Sequence, residues 1–129
     1  MITILIVCSN MDSLSGLESA LKCNDGIEVF RIDSGEATLK IISGKAYNLV
    51  ISDEKLSDMT GLELARKIIL INPMINYAVV SHLSPEDFHE ASEGLGILMQ
   101  LPPEPDKDDA EKLIRKLNNI LNPNKNNNG

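Results

Sequence analysis

Apolar segments alternate with amphipathic ones along the chain, and this alternation is its clearest pattern. The first segment, Ile2 to Val7, is a largely apolar run rich in β-branched residues, which is typical of a strand buried on both faces. Four later segments have the same character, and we predict strands there as well: Ile27 to Ile32, Leu49 to Ser52, Tyr77 to Ser81 and Ile97 to Leu101.

Between the predicted strands, apolar residues recur at the spacing of one helix face. Asp12 and Asp33 are predicted to cap the first two helices, and Glu36 completes a capping-box-like pattern with Asp33. Ser84 followed by Pro85 predicts another helix start, because serine is a preferred cap and proline suits the first helical position. The other two predicted helices run from Leu62 to Asn72 and from about Ala110 to Leu121.

Strands that alternate with helices in this way predict an α/β fold with a parallel sheet, right-handed crossovers and helices on both faces. At this chain length we expect a single flavodoxin-like (βα)5 domain, a doubly wound five-stranded parallel sheet with strand order 2-1-3-4-5. Residues 1–121 are predicted to form the domain. Residues 122–129 are rich in Asn and have no apolar period, so we predict a disordered tail or a truncated linker there.

Composition excludes several classes of function. The 129 residues carry a formal net charge of -7, so direct nucleic-acid binding, which needs clustered Lys and Arg, is not expected. No segment approaches the length of a membrane span. The two cysteines, Cys8 and Cys23, form no disulfide-rich pattern, and Cys8 lies at the end of an apolar run, where a buried reduced thiol is expected. These features predict a cytoplasmic protein without membrane contact.

In a doubly wound sheet, the carboxyl ends of the strands meet at one edge, where such folds bind their ligands. Here that edge is predicted to receive Cys8 and Ser9 from the first strand, Asp53 from the third, Ser81 from the fourth and Leu101 from the fifth. A carboxylate at this edge is a candidate nucleophile or metal ligand.

Asp53 follows the apolar run Asn48-Leu49-Val50-Ile51-Ser52 and precedes the turn Met59-Thr60-Gly61. This arrangement resembles the phosphoacceptor strand of receiver domains, the CheY-like response-regulator half of two-component signalling. The resemblance covers the chain from Thr3 to about Leu121. It implies that Asp53 accepts a phosphoryl group from a histidine kinase, that Ser81 is the switch hydroxyl, and that Asp53 and the backbone carbonyl of Lys55 are ligands of Mg²⁺.

Other positions depart from the family pattern. Cys8 and Ser9 stand where the family has two acids that bind Mg²⁺, and Leu101 stands where it has the lysine that pairs with the phosphate. Leu98 replaces an aromatic that swings during activation, and His82 replaces a small residue beside the phosphoryl group. We therefore expect Mg²⁺ binding to be weak or absent, because one remaining carboxylate is a poor magnesium site.

Two versions of the same function follow from this resemblance, and neither makes the protein an enzyme. In the first, the chain is a receiver domain in a phosphorelay, phosphorylated at Asp53. In the second, it is a pseudo-receiver that works as a protein-interaction module without phosphorylation. In both versions the expected partner is a histidine kinase or another signalling protein, and a homodimer through the face of the fourth helix, fifth strand and fifth helix is a further expectation.

Two alternatives share the predicted fold. Cys8, at the end of a strand and before a helix, could carry a phosphoryl group as sugar-transport phosphocysteine carriers do, although Asp12 in the following loop would repel phosphate. An FMN-binding flavodoxin has the same strand order, but it would need a Gly- or Thr-rich phosphate loop after the first strand and aromatic walls around the flavin. The chain has neither feature.

Overall fold

The computed structural model describes residues 1–10 and 12–122, which alternate between strands and helices as predicted. The strands are β1 (Ile2–Val7), β2 (Ile27–Ile32), β3 (Leu49–Ser52), β4 (Asn76–Val80) and β5 (Met99–Leu101). The helices are α1 (Ser15–Lys22), α2 (Gly35–Ile41), α3 (Gly61–Ile71), α4 (Pro85–Ala91) and α5 (Lys107–Leu121).

All neighbouring strands pair in parallel, and their order is β2-β1-β3-β4-β5. The predicted doubly wound α/β fold with order 2-1-3-4-5 is therefore confirmed. The register places the last residue of β1, Val7, opposite both Ile32 of β2 and Ser52 of β3. Because these strands end level with one another, the residues that follow them meet at the carboxyl edge of the sheet.

The sheet separates two apolar cores. Along β1, Ile4 and Ile6 belong to the core that also contains residues of α1 and α5, whereas Leu5 and Val7 belong to the core with residues of α3 and α4. Successive side chains of a strand point to opposite faces. A central strand covered on both faces is therefore apolar wherever it is buried, as β1 is from Ile4 to Val7, which explains the largely apolar run from which β1 was predicted.

The starts of the first two helices differ from the prediction. Helix α1 has Leu14 at its N-cap with no side-chain cap hydrogen bond, and the carbonyl oxygen of Asp12 accepts hydrogen bonds from the amide and the hydroxyl of Ser15. Helix α2 is capped by Ser34, whose hydroxyl accepts from the amide of Ala37. The prediction of Asp12 and Asp33 as caps was therefore wrong. A tight turn after Asp12 leads into α1, and Ser34, the residue after Asp33, caps α2.

The later boundaries agree more closely. Ser84 caps α4 as predicted, accepting a hydrogen bond from the amide of Asp87. Strand β4 is shifted by one residue and ends at Val80, so Ser81 lies in the loop, and β5 begins at Met99 rather than Ile97. Asp106 caps α5 in a capping box with Asp109, a start that the sequence analysis had not placed. Of the predicted tail, only Asn122 lies within the described residues, as the C-cap of α5; residues 123–129 lie outside them.

Candidate functional site

Backbone hydrogen bonds carry the pairing of the strands one residue past their ends and so position the site. The amide of Asp53 donates to the carbonyl of Val7 at 3.0 Å, and the amide of Cys8 donates to Ile32 at 3.0 Å. Between β4 and β5, at the other end of the strand order, the amide of Ser81 donates to the carbonyl of Leu101 at 3.0 Å. The candidate site residues predicted from the four strand ends therefore lie along one edge of the sheet.

The Asp53 carboxylate is half-buried and accepts a hydrogen bond on each oxygen. Its Oδ1 accepts from the amide of Glu54 at 2.8 Å, and its Oδ2 accepts from the hydroxyl of Ser13 at 2.6 Å. The Ser13 oxygen also lies 3.0 Å from the carbonyl of Asn10, but a hydroxyl has one proton, and the shorter distance is typical of a bond to a carboxylate. Ser13 was not predicted, because nothing near it in the sequence marks a residue that reaches Asp53.

Ser9 connects three loops at this edge. Its hydroxyl donates to the carbonyl of Asp33 at 2.9 Å and accepts from the amide of Ser57 at 2.8 Å. These bonds join the β1–α1, β2–α2 and β3–α3 loops directly. Where the resemblance described above predicts an acid, this chain has a neutral hydroxyl that donates its only proton within the protein.

Cys8 is buried, with 2% of its surface exposed, and belongs to the same apolar core as Leu101. Burial raises the pKa of its thiol; the charge of Arg31 opposes this shift, and the charge of Asp53 adds to it. A phosphoryl-accepting cysteine needs a lowered thiol pKa and access to its donor. The environment of Cys8 has neither property, so it gives no support to a phosphocysteine carrier.

Leu101, for which the resemblance predicts a lysine, is fully buried in the core and contributes packing rather than charge. Lys55 lies in the β3–α3 loop, where it forms an isolated bridge with Thr60. Among the residues the structure describes, no group of three His, Cys, Asp or Glu side chains is placed to hold a metal ion. Mg²⁺ prefers several oxygen ligands, of which carboxylates are the usual protein source, so the donors near Asp53 fit this ion poorly.

Ser81 and His82 lie in the β4–α4 loop. Ser81 is buried, its hydroxyl accepts a hydrogen bond from the amide of Leu83 at 3.2 Å, and it lines a cavity of about 200 Å³ that also touches Glu54. His82 has an exposed side chain, and its Nδ1 lies 2.6 Å from Oε2 of Glu54. Glu54 was not predicted as a site residue, although its position directly after Asp53 was a signal that could have found it.

Asp58 anchors the loop after β3 to the start of α2. Its carboxylate accepts from the amides of Gly35 at 3.0 Å and Glu36 at 2.8 Å. These two bonds, the one from Glu36 above all, hold the pKa of Asp58 below its usual value. Asp58 was also missed, since its partners lie more than 20 residues away in sequence.

Gly61 explains the turn Met59-Thr60-Gly61. A Cβ atom at this position would lie 2.5 Å from the carbonyl oxygen of Asp53 and 2.6 Å from Cγ2 of Val79. The amide of Gly61 also donates to the carbonyl of Glu54 at 2.9 Å. Glycine is therefore required because the start of α3 passes directly against the backbone of the candidate acceptor residue.

Leu98, at the position of the family aromatic, is half-buried against the core on the α1 and α5 side. It also lines a groove of about 470 Å³ between α4, β5 and α5, together with Phe88, Met99 and Lys116. This groove lies on the face that was predicted from the sequence to bind a second copy of the chain or a signalling partner.

Comparison with known proteins decides the family. The model of the response regulator receiver domain matches residues 4–102. The chain belongs to this family. Receiver domains are signalling modules of two-component systems, and among the described residues of this one no helix could cross a membrane. A comparison with curated proteins found no match.

Solved structures of receiver domains agree in fold. A two-component response regulator from Clostridium difficile superposes with a TM-score of 0.80 at 18% identity, over 95% of this chain and 99% of that one. A CheY-like receiver domain from Methanospirillum hungatei gives 0.78 at 26% identity, over 92% and 94%. The chemotaxis response regulator CheY4 of Vibrio cholerae gives 0.78 at 16% identity, over 91% and 98%.

Proposed function

We propose that this receiver domain is a protein-interaction module of two-component signalling whose output does not depend on phosphorylation of Asp53. The observation that carries the proposal is the pair of serine hydroxyls at the site. Ser13 donates to the Asp53 carboxylate at 2.6 Å, and Ser9 bridges the three loops that surround it. Two serine hydroxyls thus hold the Asp53 carboxylate and the surrounding loops, and we propose that the site keeps this shape without a metal ion or a phosphoryl group.

The charge balance supports the same conclusion. A phosphorylated aspartate adds negative charge and needs cations or N–H donors to offset it. Cys8 and Ser9 supply no carboxylate for Mg²⁺, and Leu101 supplies no ammonium group. We therefore propose that Mg²⁺ binds weakly at Asp53 and the Lys55 carbonyl, and that phosphorylation is inefficient.

The proposed partner is a histidine kinase or another signalling protein, and a second copy of the chain is the other occupant we consider. The groove between α4, β5 and α5 is the proposed contact, because the partly exposed Leu98 and Met99 offer apolar surface beside the exposed Lys116. Both cores consist of buried side chains, so the partner is proposed to bind on the surface.

A phosphorelay role for Asp53 remains the second candidate, favoured by one observation. The carboxylate is only half-buried at the end of β3, so a phosphohistidine could reach it. Its oxygen would attack phosphorus as the N–P bond breaks, and Ser81 would hold a phosphoryl oxygen. One charge-assisted hydrogen bond, such as the one from Ser81, contributes roughly 1.5–3 kcal/mol. Driving a switch from mostly off to mostly on takes about 5.5 kcal/mol, so this bond alone would shift the equilibrium only in part.

Treatment with acetyl phosphate, with and without Mg²⁺, followed by intact-mass measurement, tests the proposal. We expect little or no phosphorylated protein and no dependence on Mg²⁺, with Asp53→Asn as the control for any adduct elsewhere. Binding of a partner captured from the native host should survive Asp53→Asn. Rapid Mg²⁺-dependent phosphorylation that the mutation abolishes, together with loss of the partner, would establish the phosphorelay role instead.

A further inference from the structure

The β4–α4 loop, residues 81–84, is fixed to β5 by a glutamine side chain. The amide nitrogen Nε2 of Gln100 donates to the carbonyl of Ser81 at 3.3 Å and to the carbonyl of Leu83 at 2.8 Å. A glutamine amide has two N–H groups, so both bonds form at once. Gln100 stands in a short strand between Met99 and Leu101 and is the only side-chain amide there.

The same loop is held on its other side by Glu54. One carboxylate oxygen of Glu54 accepts from the backbone amide of His82 at 3.1 Å and lies 2.6 Å from its ring Nδ1. Within the loop, the Ser81 hydroxyl accepts from the amide of Leu83. Each residue from 81 to 83 therefore has a backbone group bonded to a fixed side chain.

The position of this loop sets the position of α4. Ser84, the last residue of the loop, caps the helix, and Phe88 anchors α4 to the core. A loop with several backbone groups bonded to neighbouring elements opens less often than one that bonds only to water. Movement of the loop away from β5 would require the two Gln100 bonds to break.

We propose that Gln100 is a positioning residue that holds the β4–α4 loop in one conformation and so presents the α4 surface without any phosphoryl group. The proposal deepens the function proposed above and rests on it in one respect, namely that the α4 face carries the output. The N–H groups of Gln100 hold the loop, and the volume of the side chain does not. Substitutions of similar size can therefore test the hydrogen bonds separately from the packing.

Two variants separate these contributions. Gln100→Glu keeps the shape and replaces the donating nitrogen by an oxygen, which would face two carbonyl oxygens; Gln100→Met removes the donor without adding charge. Asn76→Leu is the matched control, since the side-chain Nδ2 of Asn76 donates to the carbonyl of Asn48 at 3.1 Å at the opposite end of β4. All three variants remove a hydrogen bond from a side-chain amide to a backbone carbonyl. Only the two Gln100 variants remove such a bond from the β4–α4 loop.

The measurement is NMR relaxation dispersion and amide hydrogen exchange of the whole chain, without metal, phosphodonor or partner. In both Gln100 variants we expect the amides of His82 and Leu83 to exchange about tenfold faster and to gain millisecond broadening, with the largest effect in Gln100→Glu. Asn76→Leu should leave these amides as in the wild type. If Gln100→Glu folds poorly, Gln100→Met still provides the comparison.

Wild-type behaviour of the loop in the Gln100 variants would overturn the proposal, as would equal mobilisation by Asn76→Leu. The result is independent of the acetyl phosphate experiment. If the wild type were phosphorylated efficiently while the Gln100 variants still mobilised the loop, the proposed function would fall and the role of Gln100 would stand. If partner binding weakened in the Gln100 variants in proportion to loop mobility, both the proposed function and the role of Gln100 would be supported.

Discussion

Restoring the two missing acids should convert the site into a metal site at a cost in stability. In the double variant Cys8→Asp, Ser9→Asp, residue 8 follows Val7, which pairs with Ser52, so the new carboxylate would sit across from Asp53. Neighbouring strands lie about 4.8 Å apart. At about 5 Å and an effective dielectric constant of about 20, two like charges repel by about 3 kcal/mol.

The Ser9 substitution adds a smaller cost. An aspartate could still accept from the amide of Ser57 but would lose the bond to the carbonyl of Asp33, which contributes about 1 kcal/mol. Burial of the new carboxylate at the position of Cys8, which is 2% exposed, adds a desolvation cost. The total therefore exceeds about 4 kcal/mol, a large part of the 5–15 kcal/mol that usually stabilises a domain. Without metal, the variant should therefore unfold at a clearly lower temperature than the wild type.

Metal should return much of this stability, but only to the variant. An ion present at about 100 times its dissociation constant adds about 2.7 kcal/mol of stability. For a domain of this size, that corresponds to a rise in melting temperature of roughly 10 °C. The wild type should show almost no rise, because its donors near Asp53 are hydroxyls and a buried thiol.

Thermal unfolding followed by circular dichroism, with and without millimolar Mg²⁺ at matched ionic strength, measures both effects. The control variant Cys8→Asn, Ser9→Asn has side chains of similar shape without charge and should gain nothing from Mg²⁺. The reasoning would be refuted if Mg²⁺ raised the melting temperature of the wild type as much as that of the acidic variant. It would also be refuted if Mg²⁺ left the melting temperature of the acidic variant unchanged.

Three further predictions concern single positions. Maleimide at neutral pH should modify the exposed Cys23 and leave the buried Cys8 intact, giving one adduct by mass; two adducts at similar rates would contradict the assignment. The folded-state pKa of Asp58 lies below its ordinary value of 3.8, so its contribution to stability is present above that value and is lost as the pH falls through the folded-state pKa. Asp58→Asn should therefore destabilise the protein at neutral pH, and the difference from wild type in chemical denaturation should close at strongly acidic pH; a constant difference would argue against this origin. Gly61→Ala should cost about 3 kcal/mol in the same assay because its Cβ would meet neighbouring atoms at 2.5 and 2.6 Å, whereas Gly44→Ala, whose nearest neighbour is at 3.9 Å, should cost little; equal costs would rule out the steric explanation.

Local patterns predicted the elements of the fold because each depends on nearby residues. Strand β1 is apolar at every position except Thr3 since both of its faces are covered, and helix α4 starts where serine precedes proline. The boundaries were less certain where two adjacent residues competed for one role. Asp33 and Ser34 are both good caps, and only the path of the chain into α2 gives the role to Ser34.

What the sequence by itself determined was the α/β order of elements and the placement of Cys8, Ser9, Asp53 and Ser81 at strand ends, because parallel strands bring their carboxyl ends to one edge. The tertiary structure alone decided which side chains bond across that edge. Ser13 meets Asp53 across 40 residues, and Gln100 meets Leu83 across 17. Such hydrogen bonds depend on directions and distances of a few tenths of an ångström, and those exist only once the sheet and its loops are assembled.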